Sequence, residues 1–303
     1  MECEFRRGLD QIFVDRLNKE YNKDGWWKKI ADHPKFTIGI RNNYLNVYHQ
    51  GNNILLMKFD GDQLICQTHY KYILSPSEKS PYITWDNGKL GSDFKLPFIN
   101  SLNKTQDLIA ASIPFSGEEK EGVDTIICAN PNVVDVEIAL TGENQEGTKS
   151  AKRIDLALFQ ETDNGVELRF FEAKHFNNKE LRAKNGDAPV LRQIGSYEEL
   201  IQQCKENLLN SYLKIVQNLV DLNGESISSA KRDICKKVIK LGSKGISISN
   251  QPRLIIFGFD MDQKNGAAWR PHREKLQEKL GSNRLLMKGN PENLTSDLKF
   301  EKK

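Results

Sequence analysis

Residues 153–176 read "RIDLALFQETDNGVELRFFEAKHF", and the fold turns on what that stretch becomes. "RIDLALFQ" (153–160) and "VELRFFEAKHF" (166–176) are strand-forming runs joined by "ETDNG". Asn-Gly between two such runs is a hairpin signal, because both residues tolerate the positive φ of tight β-turns. Upstream, "VVDVEIAL" (133–140) alternates as a third strand. Before it, "GEEKEGVDTIICAN" (117–130) carries Val123, Ile126 and Ile127 at helical spacing. Downstream, Asp187-Ala188-Pro189 opens a long helix. Its apolar positions are Val190, Ile194, Tyr197, Ile201, Cys204, Leu208, Tyr212, Ile215 and Leu219, and Asn223-Gly224 stops it. A basic helical patch (230–242), a buried strand "RLIIFGFD" (253–260) and a charged helix from Pro271 to Leu280 complete the series. Strands and helices in that order predict an α/β core, a central mixed sheet flanked by helices.

The first third has a different texture. An amphipathic spacing (Phe5, Leu9, Ile12, Phe13, Leu17, Tyr21) predicts an opening helix, with Trp26-Trp27 after it. Residues 36–74 read as a β-meander broken by "RNNY", "QGNN" and "DGD". Residues 75–116 read as a loop-rich connector with one short helix. We therefore expect a smaller β-rich N-terminal domain over 1–110 and the α/β domain over 111–303.

Composition narrows the function classes. In 303 residues, 38% are hydrophobic and 28% charged, which fits a soluble globular protein. No apolar run is long enough to span a bilayer, and the acid-bearing start lacks the pattern of a secretory signal. Cys3, Cys66, Cys128, Cys204 and Cys235 form no paired motif, so a cytoplasmic protein with reduced thiols is expected. Charge is uneven. Residues 111–175 hold 6 Lys and Arg against 13 Asp and Glu, whereas 176–303 hold 23 against 15. An acidic centre beside a basic flank suits a cation site next to a polyanion.

An acid, any residue, then lysine occurs six times, so the tripeptide alone says nothing. Only Glu172-Ala173-Lys174 lies within a strand-forming run. Alternation puts Glu172 and Lys174 on one face and Phe171 and Ala173 on the other. The hairpin can bring Asp155 close to Glu172, and Glu137 in the strand before offers a third acid among aliphatics. Carboxylates gathered out of water resist ionising unless a cation compensates. A hard divalent ion, Mg²⁺ with Mn²⁺ as substitute, accepts such oxygens and keeps positions for phosphate and water. The plain alternative is a solvated ion pair on an exposed strand face. Tyr197 likewise reads as a site residue or as a core aromatic of the helix stripe.

"RIDLALF", "LRFFEAKHF" and "QIGSY" (193–197) together resemble the PD-(D/E)xK nuclease superfamily, in particular its members with a Q-xxx-Y motif after the lysine strand. The resemblance covers about residues 117–260. The proline of "PD" is absent, since Ile154 precedes Asp155. It implies a restriction-endonuclease-like core and metal-dependent hydrolysis of DNA phosphodiester bonds, endonucleolytic rather than exonucleolytic, in defence against foreign DNA or in repair. Asp155 and Glu172 would be metal ligands, with Glu137 or Glu121 as a further acid. Lys174 would be the catalytic lysine, and Gln193 and Tyr197 would support the site. Arg182 and Arg192 are candidate phosphate contacts, and His175 has no expected role. The competing expectation is a catalytically silent nucleic-acid-binding module or a subunit of a larger nuclease. The aromatic and amide residues of the meander could face nucleic acid, a protein partner or a second copy.

Overall fold

Short turns shape the first half of the chain. Asn43 (φ 52), Gln50 (φ 45) and Gly51 (φ 67) take the left-handed backbone that tight hairpins require. A computed structural model describes residues 4–73, 82–90, 99–143 and 149–301. The connector stretches 74–81 and 91–98 and the centre of the polar connection, 144–148, lie outside the described residues. Among these residues the chain is mixed α/β, with two sheets and nine α-helices. No described helix is long and apolar enough to cross a membrane.

The chain forms two compact units. One, the meander unit, comprises Arg6–Gly117 and Lys214–Lys236; the other, the mixed-sheet unit, comprises Met1–Phe5, Glu118–Leu213 and Lys237–Lys303. The division expected at 110/111 does not contain this discontinuity. The reason is the long helix, whose apolar stripe runs unbroken across the point where it passes from one unit to the other.

In the meander unit, α1 (Gln11–Tyr21) and α2 (Trp26–Ala31) precede five antiparallel strands, paired in chain order. These are β1 (Thr37–Ile40), β2 (Tyr44–His49), β3 (Asn52–Phe59), β4 (Leu64–His69) and β5 (Tyr82–Trp85), followed by α3 (Thr105–Ser112). Phe13, Val14 and Leu17 bury one face of α1, while Ile12 is exposed. The helix starts later than its spacing suggests because Gly8 (φ 129) diverts the chain onto the β1–β2 turn, donating to the Arg41 carbonyl at 2.9 Å. The expected connector is part sheet: β5 pairs with β4, Trp85 opposite Cys66. Flanking prolines and glycines hide this short strand from a pattern reading.

The mixed-sheet unit opens with α4 (Glu118–Ala129), then β6 (Val133–Glu143), β7 (Lys149–Thr162) and β8 (Gly165–His175). The long helix α5 (Pro189–Asp221) and α6 (Ser229–Leu241) follow. After them come β9 (Ile246–Ile248), β10 (Arg253–Phe257), α7 (Met261–Asn265), α8 (Arg270–Leu280), β11 (Leu285–Met287) and α9 (Thr295–Leu298). The sheet order is β11-β10-β8-β7-β6, with β9 beside the first half of β8. β6 and β8 each lie antiparallel to β7 between them, and β10 lies parallel to β8. All nine predicted stripe positions of α5 are buried. Phe170 of β8 meets Tyr212 of that stripe edge-on, with ring centres 6.1 Å apart. Cys66 and Cys235 are buried free thiols. Cys204 is disulfide-bonded, against the expectation of uniformly reduced thiols.

Candidate active site

β8 is a central strand buried on both faces from Phe170 through Lys174. Two of those five positions are charged: Glu172 is 1% exposed and Lys174 7%. Buried charges persist only when paired and hydrogen-bonded. Lys174 Nζ lies 2.8 Å from Glu172 Oε1 and 2.9 Å from Glu180 Oε2, with Glu119 Oε1 at 3.9 Å.

The neighbouring strand adds a further acid. Leu156 pairs with Phe171, so the next step of that register sets Asp155 opposite Glu172 on the same face. Asp155 Oδ2 accepts the Ala173 backbone N–H at 2.8 Å. Its Oδ1 has no protein donor among the described residues. Burial and the facing Glu172 charge push the Asp155 carboxyl well above the ordinary range, despite the Ala173 amide and the Lys174 ammonium. Burial likewise raises Glu172, against the opposing pull of Lys174 and Tyr197. Burial alone would lower Lys174, yet the Glu172 charge and the bonds from Glu172 and Glu180 hold it above the usual lysine value. The ammonium is therefore a fixed cation.

α5 delivers the next layer. Gln193 and Tyr197 stand one turn apart, so both side chains reach the same spot on β8. Gln193 Nε2 donates to Glu172 Oε1 at 2.9 Å and to the Tyr197 hydroxyl at 2.5 Å. That hydroxyl lies 3.0 Å from Glu172 Oε2 and also against the Arg153 carbonyl. With one proton, Tyr197 can donate to only one of these acceptors at a time. Burial and the Glu172 charge raise its pKa, which keeps it protonated. Tyr197 is thus both readings at once, a fully buried member of the stripe and a polar contact of Glu172.

The structure brings together Asp155, Glu172, Lys174, Gln193 and Tyr197. Glu137 is placed differently. Pairing steps from Val136–Leu156 to Ile138–Ile154, which leaves Glu137 across from Asp155, but its backbone is left-handed (φ 50). That conformation costs a non-glycine residue about 1–3 kcal/mol. The carboxylate pairs with Arg153 Nη1 at 3.2 Å, and its charge still acts on Asp155, raising that carboxyl further. Alternation assumed an extended backbone that Glu137 does not have. Among the described residues, no group of three or more His, Cys, Asp or Glu is arranged to hold a metal ion.

Two acids in this group were not singled out in the sequence. Glu119, rather than Glu121, reaches the site from the first turn of α4: its Oε2 accepts the His175 N–H at 3.0 Å and Asn178 Nδ2 at 2.7 Å. Glu180 lies on a single 3₁₀ turn after β8. Acids at a helix start are common for dipole reasons alone, so neither carried a signal. Arg182 is not free for phosphate. It donates to the Phe176 and Asn178 carbonyls at 2.6 and 3.1 Å and lies over the Phe176 and Trp269 rings. His175 points away from Lys174, against Phe257.

The donor set is one of carboxylate oxygens, the ligand type that hard divalent cations take. Asp155 and Glu172 face each other with raised pKa values, and one ammonium serves Glu172, Glu180 and the more distant Glu119. Positive charge is in short supply at that spot, and the two carboxylates are the residues that would hold an ion. No protein-family model, curated protein or solved structure matches this chain.

Proposed function

We infer that this chain is a metal-dependent phosphodiesterase acting on DNA, with a restriction-endonuclease-like core and Asp155, Glu172 and Lys174 at its reaction centre. The observation that carries the reading is the facing pair of carboxylates, Glu172 buried and Asp155 half-buried, with a lysine beside them. The order α4, three antiparallel strands, α5 and a parallel β10 supports it. So does the sequence pattern, with an acid on the second strand, acid-x-Lys on the third and Gln-xxx-Tyr on the next helix.

Each residue then has a defined task. Asp155 and Glu172 would hold Mg²⁺ or Mn²⁺, which when bound polarises a phosphoryl oxygen and acidifies its water. Lys174, protonated throughout, supplies a positive charge for a phosphate oxygen and is not a general base. Gln193 and Tyr197 fix both oxygens of Glu172, so its orientation is set before substrate arrives. Ala173 N–H does the same for Asp155.

A second reading, a nucleic-acid-binding module that does not cut, is favoured by one feature. Lys174 is clamped by Glu172 and Glu180, and its ammonium lies on the Glu172 oxygen that a metal would share. The two separate in one assay. Linear, circular and single-stranded DNA are incubated with wild type and Lys174→Ala in Mg²⁺, Mn²⁺ or EDTA. Cleavage that needs metal and disappears in the variant supports the enzyme. Equal traces from both proteins, with binding that persists in EDTA, would leave only the module.

A further inference from the structure

Lys174 sits on the oxygen that a cation at Glu172 would share, and its other contact says where it can go. Its Nζ bridges Glu172 Oε1 at 2.8 Å and Glu180 Oε2 at 2.9 Å. The two acids differ in depth: the Glu172 side chain is 2% exposed and that of Glu180 47%. The ammonium thus links an inner carboxylate to an outer one at the water boundary. Glu119 Oε1, at 3.9 Å, is too far for a hydrogen bond. Its Oε2 already accepts the His175 backbone N–H and Asn178 Nδ2.

Glu180 is presented by a turn whose other members are fixed. Asn178 Oδ1 accepts the Glu180 N–H at 2.9 Å, and the Asn178 N–H donates to the His175 carbonyl at 2.8 Å. Leu181 is fully buried, and Arg182 ties the Phe176 and Asn178 carbonyls together. Exposed ion pairs are weak partly because two flexible side chains must be ordered. Here the backbone under the outer acid is already set.

Charge decides what that outer seat is for. A divalent cation on Asp155 and Glu172 and the Lys174 ammonium together bring three positive charges. Asp155 and Glu172 offer two negative charges when ionised, and Glu180 offers the third. Without Glu180, an ammonium displaced from Glu172 Oε1 faces the incoming cation in a site where like charges repel strongly. With it, the ammonium gives up one carboxylate and keeps another that it already touches.

We propose that Glu180 is a positioning residue of the reaction centre, which retains Lys174 when a divalent cation takes Glu172 Oε1. The inference rests on the metal-dependent reading above and deepens it. Glu180 acts through the lysine and is not a ligand of the ion. It lets metal and ammonium occupy the centre together, with the ammonium on the exposed side.

The test is Mn²⁺ binding to the full chain without DNA, followed by the electron paramagnetic resonance of free Mn²⁺. Wild type is compared with Glu180→Gln, Lys174→Met and the double variant, with Glu172→Gln as the site control. Glu180→Gln should weaken binding about fivefold, the scale of one partly exposed ion pair. Lys174→Met should bind more tightly than wild type, since no ammonium competes for Glu172. In that background Glu180→Gln should lose about twofold or less, because its effect runs through the lysine. The Mg²⁺ midpoint for DNA cleavage should rise by the same factor in Glu180→Gln, a readout that needs no lysine variant. Equal losses in both backgrounds, or no loss in either with an unmoved midpoint, would overturn the proposal and leave the metal site standing. Mn²⁺ that does not bind wild type, or binds Glu172→Gln as tightly, would sink the metal reading and the proposal with it.

Discussion

One strand carries the same charge pattern twice, and only the surroundings differ. On β8, Glu167 and Arg169 are paired at 2.5 Å, and Glu172 and Lys174 at 2.8 Å. Distance does not distinguish them. The first pair keeps 25% and 19% of its side chains exposed and is joined by Gln160, which takes Arg169 Nη1 at 2.6 Å. The second keeps 2% and 9% and draws in Asp155, Glu180, Gln193 and Tyr197. Both are acid-x-cation pairs on a strand, yet one is a partly wet ion pair and the other a buried pair at the centre of a larger charge cluster. An ion pair becomes a candidate reaction centre through what else is forced to share its space.

The largest contrast should be in catalysis. Lys174→Ala is expected to slow single-turnover DNA cleavage at least about 10²–10³-fold, the scale for removing one preorganised charge donor. Arg169→Ala should leave the rate unchanged. Equal losses would erase the distinction between the pairs.

Stability gives the next contrast. Removing one partner of a buried pair costs about 3–5 kcal/mol, so Lys174→Met should shift the urea midpoint well below wild type. Arg169→Gln should cost less than about 1 kcal/mol and respond to salt. Tyr197→Phe falls between. It strips Glu172 and Gln193 of a buried hydroxyl and should cost about 1–3 kcal/mol by the same measurement.

These effects concern residues that could be read from the chain, and much of the fold could be too. α4, β6 to β8, α5 and β10 are long or strongly patterned, so periodicity identified them. β9, β11, α7 and α9 span three to five residues each, too few for a period to show. The passage of α5 from one unit to the other was invisible because its apolar stripe continues through it. Asp155, Glu172 and Lys174 stood out as charges among apolar neighbours. Glu119 and Glu180 did not, because they come from polar segments that only tertiary structure brings to the lysine. At Glu137 a left-handed backbone breaks simple alternation, although its charge still reaches Asp155.

The smallest expected effect concerns Asp155, and its sign is opposite. Its carboxyl pKa is raised in the fold, so between the unfolded value of about 3.9 and the folded value the native state binds more protons. Wild-type stability therefore falls as pH rises through that window, and ionised Asp155 weakens the fold above it. Asp155→Asn removes the repulsion while keeping an oxygen for the Ala173 amide. It should be more stable by about 1 kcal/mol at pH 7–8, with the gain fading towards pH 4. Thermal melts across that range would show it. A variant less stable at neutral pH would mean that Asp155 is an ordinary satisfied carboxylate.

The most direct test of the central claim is a crystal of the protein soaked in Mn²⁺ and measured for anomalous scattering. The account predicts a peak bound by Asp155 and Glu172, about 2.0–2.3 Å from their oxygens, with Lys174 moved off Glu172 Oε1. An empty site, with Lys174 still seated on Glu172, would contradict it.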